Sequence, residues 1–164
     1  MCSSDLSIWG NGSYLAPDWS ADLLHRWALA TAGVLRNGDP DFDQQDWEAL
    51  SGREQAVLQV ALRDQFKTNR FDPISSHLTL TGEQTQALTQ IFGVYSQLLS
   101  QGSVVHSIPS GWFRDPDEIR HVTAFFSWTA WAAAANRPKA PFSSTANVPH
   151  DPLISNQVPP QFVI

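Results

Sequence analysis

The chain has 164 residues, a 42% apolar and 16% charged fraction, and ten basic against sixteen acidic side chains for a formal charge of −6. That is the length of one domain with enough apolar mass for a core, which excludes a disordered, charge-solvated chain, and the acidic balance argues against general binding to phosphate backbones. One cysteine (Cys2) and one methionine (Met1) exclude an internal disulfide, CxxC redox chemistry, Cys/His zinc spacing, covalent c-type haem and an axial methionine ligand.

The first predicted helix opens at Pro17-Asp18, with proline in the first turn and a carboxylate where the helix dipole favours one. Trp19, Leu23, Trp27, Ala30 and Val34 line one face, Asp22 and Arg26 pair on another, and Asn37-Gly38-Asp39-Pro40 stops it. A short helical turn is expected over 44–50. The next long helix starts at the capping box Ser51-Gly52-Arg53-Glu54 and carries Val57, Leu58, Ala61, Leu62 and Phe66. Residues 71–80 read as a loop or small hairpin. A second capping box, Thr81-Gly82-Glu83-Gln84, opens a helix with Leu88, Ile91, Phe92, Tyr95, Leu98 and Leu99 on one face, closed by Gly102.

The last helix begins at Asp115-Pro116-Asp117-Glu118 and runs to about Ala135. Ile119, Val122, Phe126 and Ala133 lie on one side, and His121, Phe125, Trp128 and Ala132 on a second, with Trp131 beside it. Apolar residues nearly all round imply a helix buried on several sides or docked against something outside this chain. The most apolar stretch, 124–135, is far shorter than the roughly 20 residues of a membrane helix, and no targeting segment is complete, so the chain is expected to be soluble. Residues 138–164 hold six prolines and read as an extended tail after a domain over 1–137. The fold class is all-α, with four main helices and a small loop or hairpin region.

No catalytic set emerges from the residues. His25, His77, His106, His121 and His150 are scattered and form no HxH or HExxH spacing. Two of them could hold a non-covalent haem, although satisfied or solvated histidines are the plainer reading. Asp18 and Asp22 could serve as paired carboxylates, but capping and the Arg26 pair explain them more simply. Gly10-Asn11-Gly12 lacks the spacing of a phosphate loop. Seven tryptophans and nine phenylalanines demand a large core, a partner surface, or both.

Two stretches carry a resemblance. One is Ile8-Trp9-Gly10-Asn11-Gly12-Ser13-Tyr14-Leu15-Ala16-Pro17-Asp18-Trp19-Ser20-Ala21-Asp22-Leu23-Leu24-His25-Arg26. The other is Gly111-Trp112-Phe113, with Ile119-Arg120-His121-Val122-Thr123-Ala124-Phe125-Phe126-Ser127-Trp128-Thr129-Ala130-Trp131 and Asn136-Arg137-Pro138 after it. Together with Thr68-Asn69-Arg70-Phe71-Asp72-Pro73, they resemble the hydrophilic N-terminal domain of the single-chain, quinol-dependent nitric oxide reductases, over roughly residues 6–155. The chain departs from that pattern at Asn11, where the family usually has histidine or a similar residue, and after Pro138, where Lys139 and Ser144-Thr145-Ala146-Asn147-Val148-Pro149-His150 stand in place of glycine and an aromatic-rich run.

The resemblance implies a cytochrome-c-like helical domain without haem, bulky side chains occupying the vacated space. It implies an oxidoreductase that turns two NO into N2O and water with electrons from quinol. The fragment itself would be non-catalytic and without cofactor. Two b-type haems and a non-haem iron would sit in the membrane-embedded catalytic bundle of the same polypeptide, with quinol and NO bound there. The domain would lie on the extracytoplasmic (periplasmic) face, with 138–164 leading toward a membrane helix. Gly12 and Tyr14 map to a turn where related reductases hold calcium, and Trp9, Trp19, Trp112, Phe125, Trp128 and Trp131 become the structural and docking aromatics. Alternatives from other classes are a non-covalent haem electron carrier and a stand-alone extracytoplasmic binding module. Trp128 and Trp131 are expected to be buried, so that truncating either costs roughly 3–5 kcal/mol.

Overall fold

The computed structural model describes residues 18–104, 106 and 108–157. Five helices and one hairpin follow in chain order: α1 (Trp19–Asn37), α2 (Gln44–Ala49), α3 (Gly52–Lys67), β1 (Phe71–Asp72), β2 (His77–Leu78), α4 (Gly82–Gln101) and α5 (Pro116–Ala134). The short turn expected over 44–50 is α2, and the hairpin pairs Phe71 with Leu78 and Asp72 with His77, antiparallel.

Local chemistry sets the helix ends. Helix α1 starts at Trp19 rather than at Pro17 as expected, because Asp18 is its cap and not a first-turn residue: it accepts from the backbone N–H groups of Ser20 and Ala21. Ser51 with Glu54 and Thr81 with Gln84 form the two expected capping boxes, and Asp43 with Asp46 forms a third at α2. Gly38 ends α1 at φ 80°, where a residue without Cβ carries no strain.

Helix α1 is the centre of the fold and packs against α3, α4 and α5. Buried residues therefore surround it, from Trp19 through Leu23, Leu24, Trp27 and Ala28 to Ala32 and Gly33. The sequence marks only one of its faces as apolar because small residues such as Ala28 and Thr31 fill the others. On α4 the buried stripe is Ala87, Ile91, Tyr95 and Leu99 at four-residue spacing, with Leu88, Phe92 and Leu98 half-buried beside it. On α3 it is Leu58, Leu62 and Phe66, which leaves Val57 and Val60 exposed.

The 38–43 loop folds back against α1 at Gly33. A Cβ there would lie 2.1 Å from the Asp39 carbonyl oxygen and 2.2 Å from Phe42 Cβ. Gly33→Ala should therefore push the loop away and destabilise the domain by about 1–3 kcal/mol. Gly93, helical with nothing within 4 Å of an added Cβ, gives the opposite sign: Gly93→Ala should stabilise by about 0.5–1 kcal/mol. Denaturant melts of the two variants check both, and equal midpoints would sink the close-approach assignment.

The segment after α5 differs from the expected extended tail. Residues 138–157 form a strap folded back on the helices. Asn136 donates its backbone N–H to the Lys67 carbonyl, Lys67 Nζ donates to Asn147 Oδ1 at 3.0 Å, and Leu153, Ile154 and Asn156 are buried. Burial lowers the Lys67 amine to about 8. Asn156 holds the strap's own turn, accepting from the Asp151 N–H and donating to the Pro149 carbonyl. Proline content predicts irregular backbone correctly, but two apolar residues docking without periodicity leave no sequence signal. Among the described residues no helix is long and apolar enough to cross a membrane.

Candidate functional site

The interior between α1, α4 and α5 is built from aromatic rings. Trp19, fully buried, stacks on Phe126 at 5.4 Å between centroids and 7° between planes. It also stacks on His106 at 5.6 Å and meets the edge of Tyr95 at 6.0 Å. Deeper along α1, Trp27 meets Phe66 edge to face at 5.1 Å and donates its indole N–H to the Gln84 carbonyl at 3.0 Å. The Tyr95 hydroxyl donates to Asp22 Oδ2 at 2.7 Å, and Arg26 Nε reaches the same oxygen at 2.9 Å. Burial holds the Tyr95 phenol far above its ordinary range, so it stays a donor. The Trp19 indole N–H is buried with no hydrogen-bond partner among the described residues. Ring area rather than hydrogen bonding therefore holds it.

Helix α5 divides these rings from a second set. Its inward residues are mostly small: Thr123, Ser127, Thr129, Ala130, Ala133 and Ala134. The three hydroxyls can be buried because each donates to a carbonyl of its own helix, at Ile119, Thr123 and Phe126 respectively. Ser20 Oγ donates to Thr129 Oγ1 at 3.1 Å, which pins the start of α1 to α5. The large rings Phe125 and Trp128 point outward instead. Each is 48% exposed, and the two lie stacked at 6.3 Å and 24°. His121, one turn earlier, is exposed on the same side.

This corrects the expectation that Trp128 is buried. A four-residue apolar repeat could place either side of α5 inward, and the close approach at Ser20 and Thr129 admits small side chains only. Trp131 is half-buried and packs on Phe71 of the hairpin at 6.0 Å. Trp112 is half-buried against Phe113 at 5.6 Å. Trp9 and the calcium candidates Gly12 and Tyr14 lie outside the described residues. Among the described residues no three His, Cys, Asp or Glu side chains come together as a metal site.

A cleft of about 450 Å³ opens between α1, α4 and the 40–45 segment. Its polar side chains bond one another: Asp22 with Arg26, His25 with Gln44, and Gln90 with Asp41. Asp18 and Asp22 do not form a catalytic pair, since Asp18 caps α1 and Asp22 serves Arg26 and Tyr95. Sequence reasoning missed Asp151, which bonds His25, and the Trp19–His106 stack. Both join residues far apart in the chain, where local pattern carries no information.

Five helices around an aromatic interior, closed by one small hairpin and a strap, make this a cytochrome-c-like all-α domain. The chain belongs to the NorB cytochrome c-like family, the cytochrome c-like domain of nitric oxide reductase, whose sequence profile matches residues 6–150. None of the curated proteins compared with the chain matches it.

Proposed function

We propose that this chain is the non-catalytic extracytoplasmic domain of a quinol-dependent nitric oxide reductase, and that it caps the membrane-embedded catalytic bundle of the same polypeptide. The observation that carries the docking role is the exposed Phe125–Trp128 stack on a helix whose other side forms the core. A stacked Trp and Phe presented together to the outside are the residue types that anchor interfaces.

The aromatic interior supports a domain without haem. Trp19, Phe126, Tyr95 and His106 lie ring against ring where α1, α4 and α5 meet, so the residues present do not fit a haem plane between these helices. His25 points the same way, since it meets acceptors at both ring nitrogens. In this reading two b-type haems and a non-haem iron in the bundle supply the redox chemistry that turns two NO into N2O and water, with electrons from quinol. Gly12 and Tyr14 would contribute oxygens to a calcium ion at the interface, with the remaining ligands from the bundle.

Two measurements test this. The visible spectrum of the purified chain should lack a Soret band; a Soret band would favour a haem-binding electron carrier. Reading the native gene beyond both ends should reveal apolar segments of about 20 residues, the downstream ones carrying histidines. Stop codons close to both ends would leave the fold intact and remove the reductase assignment.

A further inference from the structure

His25 stands between two elements that are remote from it in sequence. Its Nδ1 lies 2.8 Å from Asp151 Oδ2 in the strap, and its Nε2 lies 3.2 Å from Gln44 Oε1 at the start of α2. Both partner atoms are acceptors. Asp151 is buried, and its other oxygen accepts the Leu153 N–H at 2.8 Å, so the carboxylate is held in place. Gln44 Nε2 donates to Glu48 Oε1 at 2.7 Å. A carboxylate can only accept, so that bond fixes the amide with its oxygen toward His25. A neutral imidazole has one N–H and can serve one of these two acceptors, whereas an imidazolium serves both.

We propose that His25 is a proton-operated clasp. Doubly protonated, it ties the 138–157 strap to α1 and α2 together. With one proton lost, the remaining N–H stays on the Asp151 carboxylate and the longer bond to Gln44 fails. The bond to Asp151 also loses its charge assistance, so the strap is held less firmly around Asp151 and Leu153. The charges around the ring agree with this. Asp151 faces it from the strap and Asp22 and Arg26 from its own helix, already bound to each other at 2.9 Å. Asp41 and Asp43 share the cleft from the opposite wall, and Glu48 acts through Gln44. The hydrogen bond to Asp151 raises the His25 pKa above its ordinary 6.5 against the opposing effect of burial. The clasp's contribution is thus fully present below about pH 6.5 and is lost as pH rises through the raised midpoint. The strap carries the chain onward from the domain, so protonation sets how firmly that end is held. The clasp is built from His25, Asp151 and Gln44 of this chain alone and does not depend on the domain's place in a reductase.

The test is an NMR titration of the full chain with amide hydrogen exchange between pH 5.5 and 8. The expected result is a His25 midpoint above 6.5, with protons on both ring nitrogens below it. Protection factors at the Asp151 and Leu153 amides should fall across the range, by about tenfold for each pH unit that separates the clasped and released midpoints. His25→Gln should remove that pH dependence, and Asp151→Asn should return the His25 midpoint toward 6.5. A wild-type His25 that titrates at or below 6.5, or wild-type strap protection that is flat across the range, overturns the proposal without relying on any variant.

Discussion

Trp19→Ala should lower the stability of the domain by about 3–5 kcal/mol. Trp19 is fully buried and joins three helices at once: it belongs to α1, meets Tyr95 of α4 and stacks on Phe126 of α5. Removing it leaves a void bounded by rings that belong to separate helices and cannot collapse together. For a domain of this size the midpoint of thermal unfolding should fall by roughly 10 °C. Trp19→Phe should recover part of the loss, because the indole N–H has no hydrogen bond to forfeit among the described residues. A Trp19→Ala melt that coincides with wild type would refute the aromatic interior.

The second large effect falls on association rather than on folding. The double substitution Phe125→Ser with Trp128→Ser removes the outward stack, and because each ring is 48% exposed the isolated domain should lose about 1–2 kcal/mol, well below the Trp19→Ala loss. In the proposed full-length reductase the same change should weaken the proposed contact between this domain and a membrane bundle by about 2 kcal/mol or more, as loss of a central aromatic anchor does. Limited proteolysis of the assembled enzyme gives the readout: cleavage around the domain should quicken in the double variant, while the melt of the isolated domain falls well short of the Trp19→Ala shift. Unchanged proteolysis would move the docking face elsewhere. A collapsed melt would return Phe125 and Trp128 to the core.

These two results divide along the line between what pattern reveals and what packing decides. The helix starts were legible because their causes are local: Asp18, Ser51 with Glu54, Thr81 with Gln84, and Asp115 before Pro116 each satisfy backbone groups within three residues. The turn at 71–80 was legible only as a loop or a hairpin; Asp72, which bonds the Ile74 N–H and the Ser75 hydroxyl, shapes the turn locally, and the strand pairing decides between the two. The third capping box, Asp43 with Asp46, went unread because aspartate in the last position is a less familiar partner than glutamate.

By itself, then, the sequence determined an all-α domain, the starts and order of its helices, an aromatic-heavy inventory and the family to which the chain belongs. Each of these depends on short-range backbone chemistry, on composition, or on motifs that are contiguous in the chain. Only the tertiary structure decided which side of α5 faces inward, that 138–157 returns to the core as a strap, and that His25 meets Asp151 across 126 positions. Those outcomes depend on how closely helices approach and which side chains fit the gap. At Ser20 and Thr129 the gap accepts small side chains, so the hydroxyls and alanines went in and the rings of Phe125 and Trp128 stayed out.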